Sequence, residues 1–416
     1  MAEPKRVLIL TADIGFGHRS AANAIAAALE EIYAGRCVVS IANPLDDERT
    51  PAVLRDSQAD YDRMVREMPE YYRLRYELSD AALPNAIMES AVTVMLFKVL
   101  QDLLQRHQPD VVVATHPMYP APLSAVIAVS SINTPFMTVV TDLTDIHRLW
   151  CNPAADLIFV PTQDARAIAL GLHIPESKIQ ITGIPVHPQL FQEQRASSDI
   201  RAEFGWRTDL TTALVVGSKR VKNLSEVLHV LNHSGLPLQL ILIAGGDDEL
   251  YAQWKETEWH GTVHIYNFVD NMPAFLRASD LVISKAGGLI VTEALACALP
   301  LLLVDVTPGQ EEGNAAYVVK NGAAERVESP VQALETLSHW LAKDGALLKQ
   351  SARRGRALSQ PRAAFTIADY IWAAAQRGPL PVPESTLSLM PKLIEFLGRF
   401  GLVGEKPAAG EKPQIA

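Results

Sequence analysis

The chain has 416 residues, of which 48% are hydrophobic and 20% charged, a composition typical of a globular protein with a sizeable core. Its formal net charge of −10 argues against nucleic acid as a partner, since sequence-independent binding needs a basic surface. Three scattered cysteines indicate neither a disulfide framework nor a zinc cluster, and no apolar run reaches the ~20 residues that cross a bilayer. The length favours two domains, and the cysteine usage favours a reducing cytosol.

Apolar runs of strand length alternate with helical patterns through the first half of the chain. We expect strands at residues 6–12, 37–43, 110–117, 136–143 and 157–162. Continuous apolar strands that alternate with helices are typical of a parallel sheet buried on both faces. Residues 83–104 predict one long helix with a wide apolar face. This helix is either buried in its domain or an interfacial helix that rests on lipid.

A polar stretch at residues 188–208 breaks the alternation, and we interpret it as a linker between two domains. A second series of strands is expected at 212–218, 238–246, 263–269, 281–288 and 300–306. The predicted fold class is therefore α/β, with two Rossmann-like domains and a cleft between them. We place the domains at residues 1–187 and 209–361, with a helix at 362–376 packing back on the first domain.

The remaining residues, 377–416, predict an amphipathic and disordered tail. Within it, residues 387–403 form a short amphipathic helix that we expect to be interrupted by Pro391. This helix is a candidate membrane anchor.

The stretch SKAGGLIVTEALACALPLLLVDVTPGQEEGNA (284–315) carries the strongest site signal. Gly287 and Gly288 form a turn whose backbone can approach a ligand closely, and the helix that follows offers unpaired N–H groups to a phosphate. Glu293, one turn later, is placed to accept hydrogen bonds from a ribose diol. Polar groups suited to sugar hydroxyls follow the next strand, at Pro308, Gly309, Gln310, Glu311 and Asn314. Each feature alone is more often structural, but the ordered set within one crossover favours a ligand site.

These motifs resemble the donor-site signature of glycosyltransferase family 28. The resemblance rests on Gly287-Gly288, Glu293, Ala298-Leu299-Pro300, Pro308-Gly309-Gln310-Glu311 and Asn314. The loop TADIGFGHRSAANAI (11–25) is similar to the Ser-Asp-Thr-Gly-Gly-Gly-His-Arg loop of the family's lipid branch, which contains galactolipid synthases and diacylglycerol glucosyltransferases. Further similar segments are THPM (115–118), TDLTDIHRLW (141–150) and TGIPVHPQLF (182–191). The resemblance covers roughly residues 6–375.

The resemblance implies a two-domain fold of the glycosyltransferase B (GT-B) type. The C-terminal domain would bind a UDP-sugar as donor substrate, and the N-terminal domain would bind the acceptor. Members of the family invert the anomeric configuration and hold the diphosphate without a metal, so neither a metal site nor a cofactor is expected. Helix N-termini would supply the positive partner of the diphosphate instead.

The loop VVGSKRVKN (215–223) departs from the family, which has a glycine-rich diphosphate loop after this strand. Gly217 and Ser218 remain, but Lys219, Arg220 and Lys222 follow. The cations either help to neutralise the diphosphate or form a solvated basic loop in a site with weakened donor affinity.

An inverting transfer needs a base that removes the proton of the acceptor hydroxyl. We favour His18, whose ordinary pKa near ~6.5 suits this role, with Asp13 as the alternative base. Gly15 and Gly17 would let the backbone approach the reacting groups, and Phe16 stands where smaller residues are common, so it would narrow the cleft or contact an apolar acceptor. We expect the acceptor pocket to be lined by further residues at the ends of strands and in the loop beyond, namely His116, Asp142 and Trp150.

A membrane-facing region is predicted at residues 60–76, where Arg63, Arg66, Arg73 and Arg75 are interleaved with tyrosines. This mixture suits anionic headgroups, although it is equally compatible with an exposed loop and helix. The resemblance implies membrane association for the same region. The localisation expected is cytoplasmic, with peripheral attachment to the inner face of the membrane.

The predicted function is inverting transfer of a hexose from a UDP-sugar to a lipid acceptor, diacylglycerol, at a membrane surface. One alternative on the same fold is UDP-GlcNAc transfer to a polyprenyl-linked or other acceptor. Others are a UDP-GlcNAc 2-epimerase-like enzyme, which needs no acceptor, and a non-enzymatic protein that binds nucleotide sugars.

Overall fold

The computed structural model describes residues 3–14, 16–56, 64–65, 67–130, 132–218, 221, 223–307, 309, 311–379 and 384–403. Several residues singled out above lie outside the described residues, namely Gly15, Arg63, Arg66, Lys219, Arg220, Lys222, Pro308, Gln310 and the end of the tail from 404 onward. The side chains of Phe16 and Arg75 also lie outside the description.

The N-terminal half forms a six-stranded parallel sheet with the strand order β2-β1-β3-β4-β5-β6. Its strands are β1 (Lys5–Leu10), β2 (Cys37–Ala42), β3 (Val111–Ala114), β4 (Phe136–Val139), β5 (Leu157–Val160) and β6 (Ile179–Ile181). Alternate residues of β1 enter different cores, Leu8 on one face of the sheet and Ile9 on the other. A strand buried on both faces reads as an unbroken apolar run, which is why the sequence predicts it directly.

Helices cover both faces of this sheet. They are α1 (Phe16–Tyr33), α2 (Ala52–Arg55), α3 (Pro69–Asp80), α4 (Ala82–His107), α5 (Pro120–Val129) and α6 (Gln163–Gly171), with 3₁₀ turns at Pro44–Asp46, Arg148–Trp150 and Glu176–Lys178. The long helix predicted at 83–104 is present as α4. Its apolar face is buried from Val92 to Leu104, whereas Leu83 and Ile87 near its start are exposed.

The C-terminal half forms a second six-stranded parallel sheet with the order β12-β11-β10-β7-β8-β9. Its strands are β7 (Thr211–Val216), β8 (Leu238–Ile243), β9 (Thr262–Tyr266), β10 (Leu281–Ser284), β11 (Leu301–Leu303) and β12 (Ala324–Arg326). The covering helices are α9 (Leu224–Asn232), α10 (Asp248–Glu256), α11 (Met272–Arg277), α12 (Gly288–Ala296), α13 (Glu312–Lys320) and α14 (Pro330–Leu358). Two doubly wound sheets confirm the predicted α/β fold class.

Two segments connect the halves. Helices α7 (Gln189–Gln192) and α8 (Ser197–Glu203) lie between the sheets in sequence, and Ile200 and Trp206 of this region are buried in the C-terminal core. Helix α15 (Ala363–Arg377) follows the second sheet and packs on α1, where Trp372 stacks on Tyr33 with ring centroids 4.5 Å apart.

Two segments that connect the halves approach each other closely at Gly183, which follows β6 and lies against Gln360. This residue has a φ of +87°, and an added Cβ would lie 2.4 Å from Cβ of Gln360 on the returning segment. Glycine is required both for the left-handed backbone and for the space.

The expected interruption at Pro391 is wrong, because α16 (Glu384–Gly398) continues through that residue. A proline inside a helix removes one backbone donor, a loss that packing can offset. Leu397 is fully buried and Leu393 packs beside it in the N-terminal core, so the helix is held on the far side of the proline. Among the described residues, none of the helices combines the length and the apolar character that crossing a bilayer requires.

Candidate functional site

A cavity of about 560 Å³ lies between the two sheets and is lined by both halves of the chain. The N-terminal wall comes from the loops after β1 and β4, and the C-terminal wall comes from the loops after β7 to β11. The cavity thus lies beyond the carboxyl ends of strands of both sheets, where parallel α/β sheets hold their ligands.

His18 lies in the first turn of α1 and lines the cavity with only 7% of its surface exposed. Its Nδ1 lies 3.0 Å from Oγ1 of Thr141, a residue that follows β4. The Oγ1 of Thr115 donates to the backbone carbonyl of His18 at 3.1 Å. When Nδ1–H donates to Thr141, Nε2 carries the lone pair that a base needs. The contact with Thr141 therefore fixes the orientation of the imidazole ring.

His116 does not line the cavity but packs behind His18, with the two ring centroids 4.6 Å apart in an edge-to-face arrangement. Burial, together with the nearby His18, holds the pKa of His116 well below its ordinary value. A neutral imidazole at this position supports the His18 ring. The structure thus places His116 one layer away from the expected acceptor pocket.

Asp13, the alternative base, is engaged elsewhere. Both of its carboxylate oxygens accept hydrogen bonds from Arg19 at 2.8 Å, and Asn43 donates a further one at 3.2 Å. The hydrogen bond from Arg19 lowers the pKa of Asp13, despite an opposing effect of burial. Asp13 is also not among the residues that line the cavity. A carboxylate with a lowered pKa is a poor proton acceptor, so the geometry favours His18.

Asp142 lines the cavity beside Thr141, and Trp150 lies behind it. The indole Nε1 of Trp150 donates to Oδ2 of Asp142 at 3.3 Å, and Trp150 itself is completely buried. Trp150 therefore orients Asp142 and is not positioned to contact a ligand in the cavity.

The 3₁₀ turn that carries Trp150 is fixed to the end of α3. The backbone N–H of Arg148 donates to Asp80 Oδ1 at 2.7 Å, and His147 Nε2 lies 3.1 Å from the hydroxyl of Ser79. These contacts connect the α3–α4 hairpin to the wall that holds Asp142.

Gly288 and Gly313 allow the two halves to come together. A Cβ on Gly288 would lie 2.3 Å from the carbonyl oxygen of Thr141, and one on Gly313 would lie 2.5 Å from Asp145 Oδ2. Gly287 and Gly288 also line the cavity at the start of α12, as the sequence predicts for a phosphate-binding turn. Gly288 therefore has a packing role that the sequence analysis did not foresee.

Glu293 lines the cavity from the second turn of α12 and is half-buried. Burial raises the pKa of its carboxyl to about 8. Within the described part of the chain, the side-chain carboxyl of Glu293 forms no hydrogen bond and no ion pair. Hydroxyl groups of a ligand could donate to this carboxyl group, and such hydrogen bonds would favour its ionised form.

Asn314 forms a direct polar link between the halves. Its Oδ1 accepts from the backbone N–H of Leu143 at 2.7 Å, and its Nδ2 donates to the carbonyl of Ala286 at 3.1 Å. Asn314 lines the cavity but uses its amide group in these two bonds, so the structure gives it a bridging position.

Glu311 also lines the cavity and forms an ion pair with Lys285, the residue after β10. Lys285 is a site residue that was not predicted from the sequence. Its position between a buried strand and a Gly-Gly turn was a signal that could have identified it. Gly309 lies near the same loop, with its backbone N–H donating to Glu312 at 3.0 Å.

The loop after β7 begins at the cavity with Gly217 and Ser218. Its far end is held by Asp305, which accepts from the backbone N–H of Asn223 at 2.7 Å and from its side chain at 2.6 Å. Asp305 has a φ of +51°, a left-handed conformation that costs free energy in a non-glycine residue. Asp305 therefore anchors Asn223, the residue that precedes α9. Within the described residues, no group of three or more histidine, cysteine, aspartate or glutamate side chains is suited to hold a metal ion.

A cleft lined by the loops of two doubly wound parallel sheets is the architecture of the GT-B fold. Solved structures share this fold. Acinetobacter baumannii MurG superposes with a TM-score of 0.57 and 16% identity, covering 89% of this chain and all of MurG. A UDP-GlcNAc 2-epimerase from Neisseria meningitidis, bound to UDP-GlcNAc, gives 0.56 and 16%, covering 88% of this chain and all of the epimerase. At these identities the likeness shows the fold alone.

Sequence comparison gives the family. Residues 18–186 match the profile of monogalactosyldiacylglycerol (MGDG) synthase, and residues 211–364 match the glycosyltransferase family 28 C-terminal domain. Monogalactosyldiacylglycerol synthase 2 of Arabidopsis thaliana is 28% identical over 387 residues, which is 90% of this chain and 82% of the relative. The chain belongs to glycosyltransferase family 28, as the motifs in its sequence indicated.

Proposed function

We propose that this enzyme transfers a hexosyl group from a UDP-sugar to the hydroxyl group of diacylglycerol, with inversion at the anomeric carbon. The observation that carries the proposal is that His18 from one half and Glu293 from the other line the same cavity. The Arabidopsis thaliana relative and the N-terminal profile are both of synthases of monogalactosyldiacylglycerol, a hexosylated diacylglycerol, and this supports the lipid acceptor.

In the proposed reaction, the acceptor hydroxyl attacks the anomeric carbon from the face opposite the diphosphate. Nε2 of His18 takes the hydroxyl proton while the bond between the anomeric carbon and the UDP oxygen breaks, and UDP leaves with that electron pair. Thr141 holds the imidazole by its Nδ1. Asp142, beside Thr141, would help to place the acceptor.

The donor would lie along the C-terminal wall. Glu293 would accept hydrogen bonds from the ribose, because its carboxyl lacks other partners among the described residues and lines the cavity. The first turn of α12 after Gly287 would face the diphosphate with its backbone N–H groups. The family resemblance adds further donor contacts, at Gly217, Ser218, Lys219, Arg220, Pro308, Gly309, Gln310, Glu311 and Asn314.

Peripheral membrane association is part of the proposal. Helices α3 and α4 expose apolar side chains on both sides of their turn, at Tyr71, Leu74, Leu78, Leu83 and Ile87. An exposed apolar patch of this kind on a helical hairpin suits the interface of a bilayer. The backbone N–H of Arg148 donates to Asp80, so the hairpin is fixed to the 3₁₀ turn whose Trp150 orients Asp142. A lipid acceptor would therefore enter the cavity from the side of the hairpin. We propose the inner face of the membrane as the location.

The direct test is incubation of the purified protein with labelled UDP-glucose, UDP-galactose or UDP-GlcNAc, with and without vesicles that contain diacylglycerol. We expect labelled glycolipid with at least one UDP-hexose, only when diacylglycerol is present, and an anomeric configuration opposite to that of the donor. Interconversion of the sugar without an acceptor would indicate an epimerase. Binding of a UDP-sugar without any chemical change would indicate a binding protein, and either result would refute the proposal.

A further inference from the structure

An ion pair on the C-terminal wall of the cavity connects Lys285 with Glu311. Lys285 follows β10 and Glu311 precedes α13, and their side chains are only 15% and 6% exposed. The ammonium group donates to Glu311 Oε1, and Oε2 accepts from the backbone N–H of Thr307 at 3.1 Å. Both side chains line the cavity, so a ligand in the cavity would contact the pair.

The pair lies directly over the start of α12. A Cβ added to Gly287 would be 3.4 Å from Lys285 Nζ and 3.8 Å from Glu311 Oε1, and no side chain of the described residues caps the helix. The N-terminus of a helix carries partial positive charge, so it repels an ammonium group and attracts an anion. Lys285 is therefore held at this position by the Glu311 carboxylate and not by the helix.

Of the described residues that line the cavity, Lys285 alone has a lysine or arginine side chain. We propose that Lys285 binds the diphosphate of the sugar nucleotide and that Glu311 competes with the diphosphate for this lysine. The inference rests on the proposed function and adds an exchange of partners to it. The diphosphate takes the ammonium group of Lys285, and the released Glu311 carboxylate accepts hydrogen bonds from hydroxyl groups of the hexose.

This exchange distinguishes the donor from the nucleotide product. A buried charge that loses its partner is costly, so each group needs a replacement. A UDP-hexose supplies one to both residues, a diphosphate for Lys285 and hydroxyl donors for Glu311. UDP supplies only the diphosphate, so Glu311 would lose its cation and keep only the hydrogen bond from the Thr307 N–H. After transfer, re-formation of the ion pair would therefore help to expel UDP.

Calorimetric titration of the full chain with uridine, UDP, UDP-glucose and UDP-galactose tests the exchange. We expect Lys285→Met to weaken UDP binding at least about tenfold, the cost of one charge-assisted hydrogen bond, while uridine binding stays unchanged. Glu311→Gln removes the carboxylate that competes with the diphosphate for Lys285, so UDP should bind about threefold tighter or more. The UDP-hexose that serves as donor should instead bind more weakly than to the wild type. Lys320→Met, an exposed lysine at the end of α13, is the matched control and should bind all ligands as the wild type does.

Lys285→Met leaves the buried Glu311 carboxylate without a cation, which could destabilise the fold. The double variant Lys285→Met/Glu311→Gln removes both charges and therefore controls for misfolding. The double variant should bind UDP at least about tenfold more weakly than Glu311→Gln alone. Unchanged UDP affinity on loss of Lys285, or weaker UDP binding in Glu311→Gln, would overturn the inference. If the wild type binds neither UDP nor a UDP-hexose, the proposed function itself fails. If the wild type binds UDP normally but Lys285→Met binds it equally well, only the present inference fails.

Discussion

The side-chain oxygen of Asn314 accepts a hydrogen bond of 2.7 Å from the backbone N–H of Leu143, and this bond joins the two halves of the enzyme beside the cavity. Leu143 follows the Thr141–Asp142 segment that orients His18, and Asn314 lies in α13, just after the loop that carries Glu311. Because the base and the donor wall belong to different sheets, their relative position depends on contacts of this kind.

Replacement of Asn314 by aspartate should misalign the two halves. The carboxylate would retain an acceptor for Leu143 but face the Ala286 carbonyl without a donor, at a cost of about 1–3 kcal/mol. We expect kcat/KM to fall about 10- to 100-fold, since displacement of reacting groups by about 1 Å has effects of this size. Steady-state kinetics and denaturant unfolding measure the two effects.

Asn232→Asp provides the matched control for Asn314→Asp. Asn232 is also buried, donates to the Glu258 carbonyl at 2.8 Å and accepts from the His260 N–H at 2.7 Å, but it lies within the C-terminal half and does not line the cavity. It should lose similar stability and retain the kcat/KM of the folded enzyme. Equal kinetic losses in both variants would contradict an interdomain role for Asn314.

A methyl group on Gly288 should obstruct the same contact between the halves. In Gly288→Ala the Cβ would lie 2.3 Å from the Thr141 carbonyl, so either the loop that orients His18 or the start of α12 must move. Overpacking of this kind costs about 1–3 kcal/mol, and we expect at least about a tenfold loss of kcat/KM in the transfer assay. Gly171→Ala, whose Cβ would meet nothing within 4 Å, should behave as the wild type. Wild-type kinetics in Gly288→Ala would show that the close approach is dispensable.

The buried imidazole of His116 should make the protein sensitive to acid. Its pKa is lowered in the folded state, so below pH ~6.5 the unfolded chain binds a proton that the folded chain excludes. Stability is therefore retained above that pH and lost as the pH falls below it. In His116→Gln the slope of unfolding free energy against pH should be smaller by up to about 1.4 kcal/mol per unit below pH ~6.5. Identical slopes in the two proteins would refute a neutral buried His116.

The carboxyl group of Glu293 should produce the opposite pH dependence. Because its pKa is raised to about 8, the folded protein binds an extra proton between the ordinary glutamate value and that pH. Without added nucleotide, the wild type should therefore lose stability relative to Glu293→Gln as the pH rises from ~5 to ~8. Denaturant unfolding at several pH values measures the difference, which would stay constant if the carboxyl had an ordinary pKa. The same variant should bind UDP at least about tenfold more weakly.

The fold could be predicted from the sequence because strands such as Val111–Ala114 are buried on both faces and therefore consist of continuous apolar residues. The positions of His18, Gly287, Glu293 and Glu311 around one cavity also follow from motifs at the ends of strands. The ends of the strands were predicted less well, since the strand expected at 136–143 ends at Val139 and residues 140–143 form the loop that orients His18.

Contacts between residues that lie far apart in the sequence could not be predicted. Asn314 and Leu143 are 171 residues apart, so no local pattern reveals that the amide joins two domains. The same holds for Gly288, whose nearest neighbour across the cleft is Thr141. The preference for His18 over Asp13 as the base likewise needed the structure, because the sequence does not show that Arg19 and Asn43 donate to the Asp13 carboxylate.

The most direct test of the central claim is the rate at which His18→Ala transfers labelled hexose from a UDP-hexose to diacylglycerol in vesicles, measured together with its affinity for UDP. Loss of a general base lowers turnover by roughly 100- to 10,000-fold, and the donor site lies on the opposite wall of the cavity. We therefore expect kcat to fall at least about 100-fold while the Kd for UDP stays within about twofold of the wild-type value. Transfer at the wild-type rate in His18→Ala would contradict the account.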